Sequence, residues 1–329
     1  MQDIPIPRDP KVTVIIVNWN GGDLLLRCLT DLLAQTYAPH EVIVIDNAST
    51  DGSGQAAAKQ FSQIRVVDAG SNLGFAAGNN LAVSLASKES TWIALINPDA
   101  FPESDWLKAL VDAAVSNPQF AIFGSRLMDA NSPSLLDGIG DIYHMSGLPW
   151  REAHGQVLKA SMLAQKEIFS TCAAAGLYRR DIFEEIGGFD EDYFCYLEDV
   201  DLGFRYQLLG HRCLYVPDSV ANHVGSALTG KRSDFSIYHG HRNLVWTFVK
   251  NMPGVLFWPL LPLHLLLNLT SIIYFAAQGK GKVIYKAKFD AIKGLPDVWR
   301  KRKLIQAHRH TSIARLWGLI NKNVTGNRK

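Results

Sequence analysis

An α/β fold around a mostly parallel sheet is what this sequence predicts, and three observations predict it. Apolar, strand-like runs alternate with helical patterns through the first third of the chain. Those runs are near-continuously apolar, as strands covered on both faces must be. Polar clusters stand where the runs stop: Asp46-Asn47 after EVIVI, Asn97-Pro98-Asp99 after WIALI, and Glu198-Asp199 after the aromatic stretch YFCYL. Carboxylates at the ends of buried strands are where an open α/β sheet places ligand chemistry, so the three together point to an enzyme handling a charged, metal-bound substrate.

In chain order, VTVIIVNW is the first strand and, after Gly21-Gly22, DLLLRCLTDLLAQ is the first helix. EVIVIDN is the second strand, ASTDGSG a turn, Gln55 to Phe61 a helix and IRVVDAG a short strand. A helix from about Ala76 to Ser87, the strand WIALINPDA and a helix from Glu103 to Ser116 follow. This alternation argues for right-handed βαβ units. From about 125 to 175 no pattern is readable, and HGQVLKASM and EIFSTCAAAGLYRR suggest only a strand. A dinucleotide site needs GxGxxG after the first strand. Here NWNGGDLL has adjacent glycines and no third, and no GK[ST] occurs for a Walker loop.

The length of 329 residues suits one large α/β domain plus an appendage, and 47% hydrophobic residues exclude collagen-like and disordered classes. Cys28, Cys172, Cys195 and Cys213 are widely spaced with no CxxC, which argues against a zinc site or a disulfide framework and for reduced cytosolic thiols. MQDIPIPRDPK lacks the basic start and apolar core of a secretory signal, so the expectation is a chain that stays in the cytoplasm.

Charge is distributed unevenly. Residues 280–329 hold 14 Lys or Arg against Asp290 and Asp297, giving +12, so residues 1–279 carry 19 − 29 = −10 and the total is +2. Such a basic tail suits an anionic membrane surface or nucleic acid, with a solvated helical tail as the plain alternative. The preceding stretch, Val255 to Ala277, has no formal charge and decides for the membrane. Pro259 and Pro262 are expected to confine the uninterrupted helix to Leu263–Gln278, about 24 Å at 1.5 Å per residue, short of the roughly 30 Å hydrocarbon core. Lys231, Arg232, Arg242 and Lys250 precede it, and Lys280, Lys282, Lys286 and Lys288 follow, which favours keeping both ends on the cytoplasmic side. A re-entrant or in-plane helix at the inner leaflet is therefore preferred over a span or a buried core helix, with Trp258 and Tyr274 at headgroup level.

Five segments carry a resemblance. VTVIIVNWNGGDLLLRCLTDLLAQTY, VIDNASTDGS, SNLGFAAGNN, INPDA and GGFDEDYFCYLEDVDLGFRYQLLGH resemble, in order and over roughly residues 11–250, the family 2 glycosyltransferases of the GT-A fold, most closely the bacterial rhamnosyltransferase-like group. The basic tail, including GLPDVWRKRKLIQ, is similar to tails of that group. The resemblance implies transfer of a sugar from a nucleotide diphosphate with inversion. Negative charge grows on the leaving diphosphate, which a divalent cation, Mg or Mn, stabilises through oxygen ligands.

On that resemblance Asp99 ends the DxD-type metal motif, whose first position is Asn97 here, so Asp99 is its only carboxylate. An ordinary Pro turn is the alternative for NPDA. His223 matches a downstream histidine that ligates the metal or touches the diphosphate, and a structural histidine is the alternative. Asp199 takes the place of the catalytic base, with Glu198 beside it as a positioning group. Asp201 and Arg205, at i and i+4, suggest a salt-bridged helix face. Asn18, Asp46 and Asp51 correspond to nucleoside-holding positions, although Asp51 reads equally as a turn residue. Asn72, Gly74 and Gly78 are expected to admit close backbone approach, with the helix N-terminus favouring the diphosphate and Phe75 packing. His239, Arg242 and Asn243 form a further recurrent cluster, with Arg242 a candidate phosphate partner.

The sequence thus predicts a GT-A catalytic domain over 1–250, with a donor half about 11–125 and an acceptor half about 126–250, and an apolar helix plus basic helical tail over 251–329. Expected function is an inverting glycosyltransferase at the cytoplasmic face of the inner membrane, peripheral or re-entrant. L-rhamnose from dTDP-rhamnose is the leading donor, a polyprenyl-diphosphate-linked glycan the acceptor, and nucleic acid no partner. A sugar-phosphate nucleotidyltransferase would require a basic glycine-rich loop near the N-terminus, which is absent. A noncatalytic glycan-binding relative is disfavoured by the retention of Asp99, Glu198 and Asp199.

Overall fold

The computed structural model describes residues 9–225 and 233–323; Lys231 and Arg232 of the basic flank, and Arg328 and Lys329 of the tail, lie outside the described residues. β1 (Val12–Asn18), α1 (Gly22–Leu33), β2 (Glu41–Asp46), α2 (Ser53–Gln60), β3 (Arg65–Asp68), α3 (Gly74–Leu85) and β4 (Trp92–Ile96) alternate as expected. β1 and β4 are buried at every position, as continuous β-branched and aliphatic runs require when helices cover both faces. The strands pair in parallel in the order β3-β2-β1-β4. Asn18 opposes Asp46 and Asp46 opposes Asp68, so the polar ends of the three strands share one edge.

The rest of the catalytic region comprises β5 (Ala100–Pro102), α4 (Trp106–Ser116), β6 (Ile122–Asp129), β7 (Leu136–Gly138), β8 (Asp141–Tyr143), β9 (Pro149–Arg151), β10 (Lys166–Ile168), β11 (Ala175–Arg179), α5 (Arg180–Glu185), α6 (Glu198–Leu209) and β12 (Cys213–His223). β11 enters antiparallel between β4 and β6, and β12 runs parallel to β6, giving a mixed sheet ordered β10-β12-β6-β11-β4-β1-β2-β3. β8 and β9 form a separate hairpin. The region without a readable pattern is therefore built of strands of three residues, too short to show a period.

Five α-helices complete the described residues: α7 (Asp234–Asn251), α8 (Gly254–Phe275), α9 (Gly281–Lys293), α10 (Leu295–Ala307) and α11 (Ile313–Leu319). The basic segment is integral to the body. Trp246, Met252, Val298 and Leu316 share one core cluster with Tyr193 and Phe204. Polar bonds reinforce it, because Arg302 donates to the Val249 and Met252 carbonyls and Lys301 pairs with Asp190 at 2.5 Å and Asp192 at 2.6 Å.

α8 corrects an expectation. It starts at Gly254 and runs through Pro259 and Pro262, so its 22 residues reach about 33 Å at 1.5 Å each, long enough for the hydrocarbon core. The carbonyls that the prolines leave unbonded belong to Val255 and Trp258, residues on the exposed side, so no buried partner is lost. Only Phe257 and His264 are buried, whereas Leu265, Leu266, Leu269 and Ile273 are exposed, which rules out the core-helix alternative. Gly279, at φ +76°, turns the chain back into α9.

Candidate active site

A cleft of about 1980 Å³ opens at the carboxyl edge of the sheet, and both Asp99 and Asp199, a hundred positions apart, line it. Its donor wall comes from the ends of β1, β2 and β4 and the start of α3; its other wall comes from the β8–β9 hairpin, the strand β12 and the start of α6.

Asn18 and Asp46 lie just behind the donor wall. The Asn18 amide donates to Asp46 Oδ1 at 3.2 Å, Ser49 Oγ at 3.1 Å and Ser53 Oγ at 2.8 Å. Both are buried, and their neighbours Val17, Trp19 and Asn47 face the cleft. Asp51 accepts from the Gly22 amide at 2.9 Å and from the Ser53 amide and hydroxyl at 3.0 and 2.6 Å. Burial, the largest single influence, raises its carboxyl, and those bonds together outweigh it and hold the carboxyl below the usual range. It is a loop clasp, the turn role that its motif left open.

Asn72 and Gly74 line the cleft, with Asn72 Oδ1 accepting from the Gly74 amide at 2.9 Å and the Asn47 side chain at 3.0 Å. The expected diphosphate cradle at the start of α3 is already filled. The Phe75 and Ala76 amides donate to the Phe194 carbonyl at 2.7 and 3.3 Å, because Gly74, at φ +79°, lets that loop lie against the helix end. Gly78 serves packing instead of ligand approach, since a Cβ there would stand 2.9 Å from Val17 Cγ1.

At the cleft's centre stands a chain of charged groups. His223 Nε2 lies 3.4 Å from Asp99 Oδ1, and its Nδ1 donates to Asp137 Oδ2 at 2.8 Å. Arg151 pairs with Asp137 from the other side, and His154 Nδ1 donates to the Asp137 carbonyl at 2.9 Å. Burial opposes the imidazolium of His223, yet Asp137 and Asp99 together push it up to about 9. Burial likewise opposes the Asp137 carboxylate, and Arg151 with the two histidines holds it well below the usual range. Asn97 Oδ1 is buried with no hydrogen-bond partner, one turn from Asp99 and in the same wall. Asp99, His223 and the orphan Asn97 oxygen fit a hard cation that also takes oxygens from its substrate. Among the described residues no group of three or more His, Cys, Asp or Glu is placed to hold a metal on its own.

The Glu198-Asp199 pair begins α6, after a loop in which Phe194, Tyr196 and Leu197 all have φ between 62° and 70°. Backbone so strained persists only when its surroundings over-determine it. Asn243 does so, its amide donating to the carbonyls of Tyr193, Cys195 and Tyr196 at 3.1, 2.9 and 2.7 Å. Arg242 is a second brace, donating to the Asp192 and Tyr193 carbonyls at 2.8 and 2.9 Å and lying 4.3 Å over Trp246. The phosphate role expected of Arg242 is thus not where its guanidinium points.

Asp199 is partly open to the cleft and accepts from the Val200 amide at 2.8 Å and the Ala173 amide at 3.3 Å. Burial pushes its carboxyl up, with Arg151 opposing. Glu198 is buried, its Oε2 has no partner, and burial and Asp199 drive it well above the usual range. Asp201 belongs to a different network: Arg205 at 2.9 Å and Lys250 at 2.8 Å outweigh its burial and keep it ionised, the salt-bridged face the i, i+4 spacing suggested.

Sequence reasoning missed Asp137, Asp141 and Arg151. Each sits in a strand of three residues. With Asp99, Asp129, Glu152, Glu198 and Asp199, they make a cleft whose described lining has seven carboxylates and one guanidinium. An anion such as a diphosphate enters such a field only with a cation beside it.

Comparison with known proteins gives the family and the fold. Residues 13–187 match the model of glycosyl transferase family 2, a range that ends before Glu198. Over 242 residues the chain is 31% identical to an N-acetylglucosaminyl-diphospho-decaprenol L-rhamnosyltransferase of Mycobacterium tuberculosis, covering 66% of this chain and 77% of that protein. It is 27% identical over 215 residues to the O-antigen chain rhamnosyltransferase RfbN of Salmonella typhimurium, covering 65% and 66%. Among solved structures, a mannosyltransferase from Pyrobaculum calidifontis in complex with GDP-Man and Mn2+ superposes with a TM-score of 0.54 at 20% identity, over 91% of this chain and 84% of that one. GalNAc-T7 with UDP, GalNAc and Mn2+ gives 0.60 at 15% identity, over 73% and 48%. Both share the fold.

Proposed function

Because the chain belongs to glycosyl transferase family 2, we propose that it is an inverting glycosyltransferase of polysaccharide assembly that moves L-rhamnose from dTDP-rhamnose to a polyprenyl-diphosphate-linked glycan. The observation that carries this reading is the convergence of Asp99 and Asp199 on one cleft.

In the transfer, Asp199 takes the proton of the acceptor hydroxyl as its oxygen attacks the anomeric carbon, and the bond to the diphosphate breaks on the opposite face. A divalent cation, Mg or Mn, supplies Lewis-acid stabilisation of the leaving diphosphate. Asp99, Asn97 and, once its Nε2 proton is displaced, His223 would hold it. Asp137 orients the His223 ring through Nδ1, which presents Nε2 to the cleft. Asn18 and Asp46 keep the Asn47 and Trp19 wall in place for the nucleoside. Two relatives named rhamnosyltransferases, one of them for a decaprenol-linked substrate, support this donor sugar and acceptor.

A lipid-linked acceptor also accounts for α8. Its exposed apolar side, together with Tyr285, Phe289 and Ile292 of α9 between Lys282, Lys286 and Lys293, suits the headgroup region of an anionic leaflet. Phe257 and His264, two turns apart, hold α8 along the protein body, which favours an in-plane or re-entrant placement at the cytoplasmic face.

Thermal stabilisation by dTDP-L-rhamnose against UDP-sugars, with and without Mg or Mn, tests the donor. Asp199→Asn should keep that stabilisation and lose at least about 10²-fold in transfer. Transfer within a few-fold of wild type would remove Asp199 from the base role.

A further inference from the structure

Three residues of one short segment fasten three different charged groups of the cleft. In the chain leading into β11, Ser170 Oγ donates to Asp141 Oδ2 at 3.2 Å, and the Asp141 amide donates to the Ser170 carbonyl at 2.9 Å. Cys172 Sγ accepts from Arg151 Nη2 at 2.7 Å. The Ala173 amide donates to Asp199 Oδ2 at 3.3 Å. Extended chain advances about 3.3 Å per residue, so Asp141 and Asp199 hang from points no more than about 10 Å apart, with the Arg151 guanidinium fastened between them. The template is itself clamped. A Cβ on Gly203 would lie 2.3 Å from Ser170 Cβ, so α6, the helix that presents Asp199, also grips the residue that holds Asp141.

Arg151 already pairs with Asp137, so Asp141 and Asp199 share what remains of one cation and do not both keep a full charge. Asp141 is the more enclosed of the two, and Asp199 is the one open to substrate. We propose that Asp141 and Asp199 act as a paired-carboxylate unit in which Asp141 keeps the one shared proton, leaving Asp199 ionised under Arg151 to receive the proton of the acceptor. Asp141 is then a positioning residue that acts through Asp199, and the proposal rests on the reading of Asp199 as base. In the step itself the acceptor O–H bond breaks as the bond from oxygen to the anomeric carbon forms. The proton goes to Asp199, and the electron pair of the broken carbon–oxygen bond leaves on the diphosphate.

The electrostatics agree. Burial first, then Asp199, push Asp141 up to about 7, against Arg151 and the Ser170 hydroxyl, with Asp137 adding to the rise. Other titratable groups facing this pair are Glu198 on α6, Cys172 and Tyr178 on the β11 side and Cys213 on β12. Glu152 and Glu167, which line a smaller cavity beside Asp141, are neutralised by Lys166 and by Arg212 with Arg315.

The test compares kcat/KM against pH for the full chain and Asp141→Asn, with dTDP-L-rhamnose, N-acetylglucosaminyl-diphospho-polyprenol and saturating Mg. Wild type should fall on the alkaline side as Asp141 ionises and adds a second negative charge beside Asp199 and the diphosphate. Asp141→Asn should lose that limb, its plateau reaching at least one pH unit higher. A second readout needs no turnover. A carboxyl raised above its unfolded value contributes stability that is present below about pH 4 and lost as pH rises through about 7. The melting temperature of wild type should therefore fall across that window, and that of Asp141→Asn should fall less. An unchanged alkaline limb or an unchanged melting profile in Asp141→Asn overturns the pairing. Should Asp199→Asn keep transferring, the base reading fails and the pairing with it; should Asp199→Asn be inactive while Asp141→Asn behaves as wild type, the pairing alone fails.

Discussion

Asn243 shows how one buried amide governs a catalytic group it never touches. Its two N–H groups serve three carbonyls of the strained loop that aims Glu198 and Asp199, and it has no exposure. Replacing it with alanine removes the donor that these carbonyls share, at about 1–3 kcal/mol, and frees a loop with three non-glycine residues at positive φ. Asn243→Ala should lower the unfolding free energy by that amount and cut kcat by more than it changes KM for the donor. Asn243→Asp should do the same, because a carboxylate accepts and cannot donate. Chemical denaturation alongside steady-state kinetics checks both, and a kcat equal to wild type in either variant would release the loop from this role.

Elements were legible in the sequence to the degree that they are long and regular. β1, β2 and β4 announce themselves as unbroken apolar runs, and their polar ends, Asp46 and Asp99, could be placed because a strand's end is a local property. Asp137, Asp141 and Arg151 were not legible, because β7, β8 and β9 are each three residues long, too short for an alternation to show, even though they pair with strands close in sequence. The start of α3 failed differently. SNLGFAAG reads correctly as a helix start, yet which group satisfies its amides depends on a loop more than a hundred residues away, and Phe194 fills them. That contact makes a prediction for the element. A Cβ at Gly74 would meet the Phe194 carbonyl and ring at 2.6 Å, and the residue holds φ +79°. Gly74→Ala should cost about 1–2 kcal/mol for the backbone conformation alone, read by urea denaturation, and should weaken stabilisation by dTDP-L-rhamnose because Asn72 and Gly74 move together.

At the scale of the whole molecule, the C-terminal region carries both the exposed apolar side proposed to meet the bilayer and a contact with the cleft, and the two duties can be separated. After α11 the chain reaches back to the β8–β9 hairpin: the Asn321 amide donates to the Tyr143 carbonyl at 2.9 Å, and the Met145 amide to the Asn321 carbonyl at 2.9 Å. Ile320 is buried in the core beside this pairing, and Asn323 lines the cleft. β8 carries Asp141, so the last described residues of the chain hold the strand that holds the site. A chain ending at Leu319 should lose most of its kcat while still binding anionic vesicles, since α8 and α9 are untouched and only Lys322, Arg328 and Lys329 of the 14 basic residues over 280–329 are lost. Leu265 and Leu269, 59% and 54% exposed one turn apart on α8, give the converse. Changing both to lysine places two charges on the side proposed to meet lipid, where each costs up to about 2.5–3.5 kcal/mol at the bilayer centre and less near the interface. The double variant should melt within a few degrees of wild type and hydrolyse donor at the same rate. Its recovery with floated vesicles should fall at least about tenfold, and with it transfer to the polyprenyl-linked acceptor, because an enzyme left in solution meets few membrane-held substrates. Full vesicle binding by the double variant would detach α8 from the membrane.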